Sequence, residues 1–135
     1  MTTPTPAEFA DTNVILYLLD GGEKADRAEA ILRTGPRISV QVLNEALVNC
    51  RRKAGMSWGE ADAFLRGLRA LCPVEGVTVQ THEVGRALAE RYGFPVYDAM
   101  IVASALIAGC GVLWSEDMQD GLVVEGRLRV VNPFR

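Results

Sequence analysis

The sequence contains few of the residues that several common functions require. Histidine occurs once among 135 residues, at His82, and this isolation argues against histidine-based ribonuclease chemistry. The three cysteines, Cys50, Cys72 and Cys110, form an odd set without paired spacing. They therefore indicate reduced thiols that fill the core of a cytosolic protein, and they argue against a disulfide framework or a zinc site.

The chain also lacks an excess of positive charge and a long uninterrupted apolar segment. Its formal net charge is −3, so bulk electrostatics do not indicate a nucleic-acid-binding protein. The uncharged run over residues 99–115 is broken by Gly109 and Gly111 and is shorter than the ~20 residues that span a bilayer. The first eight residues lack basic residues and an apolar run, so we expect no signal peptide and a cytoplasmic protein.

The composition favours a packed globular domain, because 49% of the residues are hydrophobic and the mean hydropathy is +0.12. We expect one domain over residues 1–135, in which residues 1–7 form a flexible tail. Strand-like segments alternate with helical ones, which predicts an α/β fold with a central, mostly parallel sheet. The predicted strands are residues 9–10, 37–40, 76–79, 112–114, 122–124 and 128–131.

Two helix starts carry capping signals. Ser57 and Glu60 have the spacing of a capping box. In the helix that follows, Trp58 and Phe64 fall on the face expected to pack, in the core or at a dimer seam, and this is favoured over an RNA-stacking platform. Thr81 is expected to cap the next helix.

Acidic residues stand where predicted strands end or helices begin: Asp11, Glu45, Asp98 and Asp117. Each one alone is explained by helix capping or a solvated turn. Together they would lie beyond the carboxyl ends of parallel strands, where ligands bind in open α/β sheets. Crowded carboxylates repel one another, and a divalent cation such as Mg²⁺ relieves that repulsion. The pattern therefore predicts hydrolysis of a phosphodiester by a metal-activated water.

Polar residues beside these acids are candidates for supporting roles. Thr12, Asn13 and Ser115 could orient metal ligands or a water. Glu116 and Asp120 extend the acidic loop after the predicted strand at residues 112–114.

The acid motifs resemble those of PIN-domain ribonucleases, and especially the VapC-like toxins of prokaryotic toxin–antitoxin pairs. The matching segments, in the order of that family, are residues 11–17, Asn44-Glu45, residues 97–105 and residues 113–121. The resemblance implies a three-layer α/β/α PIN-like domain and RNA cleavage that depends on Mg²⁺ or Mn²⁺. It also implies a homodimer and a cognate antitoxin whose C-terminal part covers the active site.

Site residues carry over from the resemblance position by position. The implied catalytic acids are Asp11, Glu45, Asp98 and Asp117, of which Asp11, Asp98 and Asp117 are the expected metal ligands. Asn13, Ser115 and Asp120 match supporting positions. The basic run Arg51, Arg52 and Lys53 is a candidate RNA contact, although cations at a helix end are also common as solvated caps.

Two other functions fit part of the pattern. A catalytically silent PIN-like module could bind RNA or a protein partner, and it need not bind a metal. A phosphoacceptor domain of the receiver type also gathers acids at a sheet edge, but it needs a lysine near the site. The two lysines, Lys24 and Lys53, are poorly placed for that role along the sequence.

Overall fold

A mostly parallel sheet between two layers of helices forms the centre of the computed structural model, which describes residues 7–135. Its elements in chain order are β1 (Glu8–Ala10), α1 (Thr12–Asp20), α2 (Glu23–Leu32), β2 (Ile38–Ser39), α3 (Val40–Arg52), α4 (Trp58–Leu71), β3 (Val74–Glu75), α5 (Val79–Tyr92), α6 (Val96–Ile107), β4 (Val112–Trp114), β5 (Val123–Val124) and β6 (Leu128–Val131). The predicted three-layer α/β/α arrangement is confirmed.

The strands share one direction except at one edge. The larger sheet has the order β1-β4-β6-β5, in which β1, β4 and β6 pair in parallel and β5 runs antiparallel to β6. β2 pairs with β3 in parallel, and a bridge from Phe9 to Arg37 joins this pair to β1. The carboxyl ends of β1, β2, β4 and β6 consequently lie on one side of the molecule.

Helix α6 occupies the most buried position of the described helices. Every residue from Ala99 to Leu106 is buried, because the small side chains of this helix allow close approach of its neighbours. Gly85 of α5 faces Met100 of α6, and the absence of a side chain at Gly85 leaves room for Met100. The fully buried side chains of Phe9, Ile15 and Leu113 fill the space between the helices and the sheet.

The region between Pro73 and Thr81 differs from the sequence prediction. The prediction of a strand at residues 76–79 is wrong. The strand is Val74–Glu75, and Val79 is already the first residue of α5. The Thr78 hydroxyl accepts the Thr81 backbone N–H, so Thr78 is the cap and Thr81 completes the capping box. β-Branched residues over positions 77–79 favour a strand locally, and the capping box ends that tendency.

The capping box of Ser57 and Glu60 is confirmed at the start of α4. Trp58 is 66% exposed and does not pack in the core of the chain, so its expected place at a dimer seam stays a prediction, whereas Phe64 packs partly buried against the core. The three cysteines are buried and form no disulfide, as predicted.

The predicted tail over residues 1–7 lies outside the described residues apart from Ala7, whose carbonyl accepts the Gly111 N–H at 2.8 Å. Within residues 7–135, no helix is both long enough and apolar enough to cross a membrane.

The close contact of α5 with α6 makes a matched pair of glycine substitutions informative. A Cβ at Gly85 would lie 2.5 Å from the Met100 sulfur, whereas a Cβ at Gly67 in α4 would meet nothing within 4 Å. We expect Gly85→Ala to lower the free energy of unfolding by about 1–2 kcal/mol, because overpacking exceeds the gain in helix propensity. Gly67→Ala should raise it by roughly 0.5–1 kcal/mol. Urea denaturation measures both, and equal effects of the two changes would contradict the packing described here.

Candidate active site

Asp11 stands at the junction of β1 and α1, at the carboxyl edge of the sheet. It is 3% exposed, and its side chain caps α1 by accepting the Thr12 backbone N–H at 2.7 Å. Its second carboxylate oxygen accepts the Ser115 hydroxyl at 2.8 Å and the Asn13 amide at 3.2 Å. The cap and the contact with the loop after β4 are therefore made by one carboxylate.

The amide of Asn13 joins two of the predicted acids. Its Nδ2 donates to Asp11 at 3.2 Å and to Asp117 at 3.0 Å. Its Oδ1 accepts the backbone N–H of Glu116 at 3.2 Å. A side chain from the first turn of α1 thus holds the loop after β4 through both ends of its amide group.

Ser115 supports the same pair of acids from the other side. Its side chain is fully buried; its hydroxyl donates to Asp11 and accepts the Asp117 backbone N–H at 3.3 Å. The predicted supporting positions Asn13 and Ser115 are therefore both in contact with the acids that they were expected to support.

Asp98 approaches the pair from the first turn of α6, where the helix dipole favours a negative charge. Burial and the charge of Asp117 raise the pKa of Asp98. The pKa of Asp11 is raised to about 7, chiefly because burial disfavours its charged form. Hydrogen bonds from Ser115 and Thr12 lower the pKa of Asp11, whereas the charges of Asp98 and Asp117 raise it. Asp11, Asp98 and Asp117 consequently form one electrostatic group.

Glu45 is connected to the start of α6 through Gln41. The Gln41 amide nitrogen donates to Glu45 at 2.8 Å and to the carbonyl of Tyr97 at 3.0 Å, next to Asp98. Glu45 also lines an open cavity of about 750 Å³ between α3 and the starts of α5 and α6. Its lining is largely apolar: Val40, Val48, Val77, Val96 and Met100, with Gln41, Asn44, His82 and Tyr97.

Two acids of the loop after β4 make contacts away from the other carboxylates. Asp120 accepts the backbone N–H of Asn132 at 2.8 Å. Glu116 accepts the Lys24 ammonium at 2.9 Å, and the same ammonium donates to the Tyr17 hydroxyl at 3.1 Å. The hydrogen bond with the Tyr17 hydroxyl and the ion pair with Lys24 lower the pKa of Glu116. The supporting role predicted for Asp120 stays a prediction, and the contact it makes attaches the loop to the end of β6.

The contacts of Lys24 and Gln41 were not predicted from the sequence. The Lys24 ammonium lies 4.7 Å from the centre of the Tyr17 ring, and its bond to Glu116 spans 92 residues along the chain. Neither residue has a motif that predicts its partner. The packing of the helices brings Lys24 to the loop after β4. Because α3 begins directly after β2, Gln41 lies near the start of α6.

The donor set fits a hard divalent cation in its chemistry, because carboxylate oxygens are the ligands that Mg²⁺ and Mn²⁺ prefer. In the side-chain orientations of residues 7–135, no three Asp, Glu, His or Cys side chains converge closely enough to hold an ion. The donors of Asn13 and Ser115 stand between Asp11 and Asp117 and satisfy their oxygens. For Asp11, Asp98 and Asp117 to hold one ion together, their side chains would have to change orientation.

The basic run predicted to contact RNA lies at the opposite end of α3 from its junction with β2. Arg51 and Arg52 form the last turn of the helix, and Lys53 follows it. All three side chains are exposed and make no hydrogen bond to the acids described above. Their role stays a prediction.

The three-layer α/β/α fold, whose parallel strands and adjoining helices bring acids to one edge, defines an α/β domain with a candidate ligand site beyond the carboxyl ends of its strands. Residues 9–119 match the PIN domain family, and the chain belongs to that family. A search of curated proteins found no match.

Solved structures with a similar fold come from toxin–antitoxin systems. A toxin–antitoxin complex from Klebsiella pneumoniae is 22% identical, with a TM-score of 0.72 over 94% of this chain and 97% of that chain. A sarcin–ricin-loop-cleaving VapC toxin of Mycobacterium tuberculosis is 21% identical, with a TM-score of 0.67 over 82% of this chain and 92% of that chain. DNA-bound VapBC from Salmonella typhimurium is 20% identical, with a TM-score of 0.67 over 93% of this chain and 98% of that chain.

The burial of Asp11 predicts a pH-dependent stability. The unfolded chain releases this proton near its ordinary pKa of 3.8, whereas the folded protein retains it up to about pH 7. The contribution of Asp11 to the free energy of unfolding is therefore largest below pH 4, and it falls by up to roughly 4 kcal/mol as the pH rises to 7 and above. Asp11→Asn, which stays neutral, should gain stability relative to the wild type between pH 5 and pH 8.

Urea denaturation in EDTA at both pH values measures this gain. The control is Asp26→Asn at an exposed position of α2, which should run parallel to the wild type. A constant difference between Asp11→Asn and the wild type across this pH range would contradict the burial argument.

Proposed function

We propose that this chain is a metal-dependent endoribonuclease and the toxin component of a toxin–antitoxin pair. The observation that carries the proposal is the contact of Asp11 and Asp117 through Asn13 and Ser115, with Asp98 electrostatically coupled to both. Membership of the PIN domain family and the fold shared with toxin–antitoxin structures support it. Helix capping alone does not require Asp11 and Asp117, which are more than 100 residues apart along the chain, to be held together.

Asp11, Asp98 and Asp117 would hold a Mg²⁺ or Mn²⁺ ion, with Glu45 beside them. When bound, the ion lowers the pKa of a water ligand and stabilises charge on a phosphoryl oxygen. The chain's own residues orient the carboxylates: Asn13 keeps Asp117 facing Asp11, and the buried Ser115 hydroxyl keeps Asp11 from rotating away.

The chain needs two macromolecular partners in this function, an RNA substrate and a cognate antitoxin. Similar structures that are complexes of toxin and antitoxin support the second partner. An antitoxin that covers Asp11, Asp98 and Asp117 would block access of RNA to them.

The same function favours a homodimer. Several apolar side chains around the cavity next to Glu45 are exposed, namely Val40, Val48, Val77, Val96 and Tyr97. Contiguous exposed apolar surface of this kind is typical of protein interfaces. A second copy of the chain would bury it and would place two acid groups near one seam.

The dimer can be tested with two exposed valines. Val48 lines the cavity and is 46% exposed, whereas Val123 of β5 lies elsewhere and is 49% exposed. Val48→Glu should shift the protein from dimer to monomer in light scattering at micromolar concentration, because an unpaired charge at the interface is costly. Val123→Glu should remain a dimer in the same measurement. If Val48→Glu remains a dimer, the dimer interface does not include the surface around this cavity.

The enzymatic role is tested at Asp98. Asp98→Asn should reduce cleavage of a fluorescent RNA in Mg²⁺ or Mn²⁺ by about 100-fold or more, because a charged metal ligand is lost. Asp62→Asn, at an exposed position of α4, is the matched control and should cleave at the wild-type rate. Wild-type cleavage by Asp98→Asn, or undiminished wild-type activity in EDTA, would refute the proposal. Calorimetric titration with Mn²⁺ separates the enzyme from a silent PIN-like module, which need not bind the metal.

A further inference from the structure

Within residues 7–135, Trp58 is a large aromatic side chain that the fold leaves exposed beside a cluster of positive charge. Its indole is 66% exposed at the first position of α4. The other tryptophan, Trp114, is partly buried, and its indole N–H donates to Glu8 at 3.1 Å. An exposed indole offers a large, flat apolar surface on which a planar partner can stack.

Arg51 holds this indole in place. Its guanidinium carbon lies 4.3 Å from the centre of the Trp58 ring, and its Nη1 donates to the Met56 carbonyl at 2.7 Å. The Met56 N–H in turn donates to the Cys50 carbonyl at 3.0 Å, which closes the turn between α3 and α4. The ring and the guanidinium are therefore pre-arranged against each other, and less entropy is lost when a flat partner stacks on them.

The charges around the indole favour an anionic partner. Within residues 7–135, none of Arg51, Arg52 and Lys53 has an acidic ion-pair partner, whereas the exposed Arg66 and Arg86 are paired with Asp62 and Glu90. The acid in the first turn of α4, Glu60, is occupied by the Ser57 N–H of the capping box. In a chain whose formal net charge is −3, this run is a local cationic surface.

We propose that Trp58 and Arg51 form a stacking platform for an unpaired RNA base, and that Arg52 and Lys53 bind the flanking phosphates. The inference depends on the proposed ribonuclease function and adds a substrate-binding site to it. Bases stack on indole and guanidinium planes irrespective of their sequence, and exposed cations bind the phosphate backbone. Single-stranded RNA, or an RNA loop, is therefore the substrate class that this surface fits.

Helix α3 connects the platform to Glu45, one of the proposed catalytic acids. Glu45 and Arg52 lie on this one helix, seven residues apart, which is about 10 Å of helix rise. A single-stranded segment of a few nucleotides spans that distance. The platform would then hold the RNA at a fixed offset from the scissile phosphate, so that it contributes to substrate affinity and to the choice of cleavage position.

Fluorescence with a labelled 12-nucleotide single-stranded RNA tests the platform on the full chain in EDTA, where cleavage is suppressed. Trp58→Ala should weaken binding about 5-fold or more, the usual effect of losing one base–aromatic stack. Arg52→Gln should weaken it and reduce the slope of log affinity against log salt by about 0.7. Wild-type indole emission should fall on binding, and the fall should be absent in Trp58→Phe, which retains only Trp114. The controls are Val123→Ala, an exposed apolar change, and Arg86→Gln, an exposed charge change.

The outcomes separate the platform from the nuclease proposal. If Trp58→Ala and Trp58→Phe show normal circular dichroism and bind RNA with wild-type affinity, the platform is overturned. Metal-dependent cleavage by the wild type would then leave the proposed function intact. Weaker self-association of Trp58→Ala without a change in RNA affinity would assign the indole to a protein interface and would equally overturn it. If the wild type neither binds nor cleaves RNA, the proposed function fails together with the platform.

Discussion

The parallel pairing of β1 with β4 is the constraint on which the rest of the site depends. Ala10 is opposite Trp114 in the register, and the Asp11 N–H continues the ladder by donating to the Trp114 carbonyl at 2.9 Å. The next residue on each strand is therefore a site residue, Asp11 on one side and Ser115 on the other. A shift of one residue would point these side chains to opposite faces and separate the buried hydroxyl from the carboxylate that it holds.

Holding these acids together has an energetic cost. A buried carboxylate is disfavoured in its charged form, and neighbouring negative charges add to that penalty. The fold offsets part of it with directed hydrogen bonds: the Thr12 N–H, the Ser115 hydroxyl and the Asn13 amide all donate to Asp11. A stable core that surrounds the strands, with α6 at its centre, supplies the remaining free energy. Sites that retain such a penalty are typical of function, since packing alone would favour an apolar residue there.

The proposed substrate surface and the proposed metal ligands serve complementary electrostatic needs. Negative side chains at the sheet edge suit a cation and would repel an RNA backbone, so RNA needs attraction from elsewhere on the chain. The end of α3 can provide it, because Arg52 and Lys53 lie about two helical turns from Glu45. The net negative charge of the chain is thus compatible with RNA binding when the cations are local and unpaired.

The sequence by itself determined the alternation of strands and helices, the capping box at Ser57, and the acids expected at the sheet edge, because these features depend on local periodicity and on residue types next to strand ends. It did not determine the start of α5, where the β-branched residues 77–79 favour a strand until the contact of Thr78 with Thr81 forms. Tertiary structure alone decided the sheet register, the exposure of Trp58, the Lys24–Glu116 ion pair and the connection of Glu45 to Tyr97 through Gln41. Such contacts join residues that are distant along the chain, and the packing of whole elements sets their distances, which no local pattern encodes.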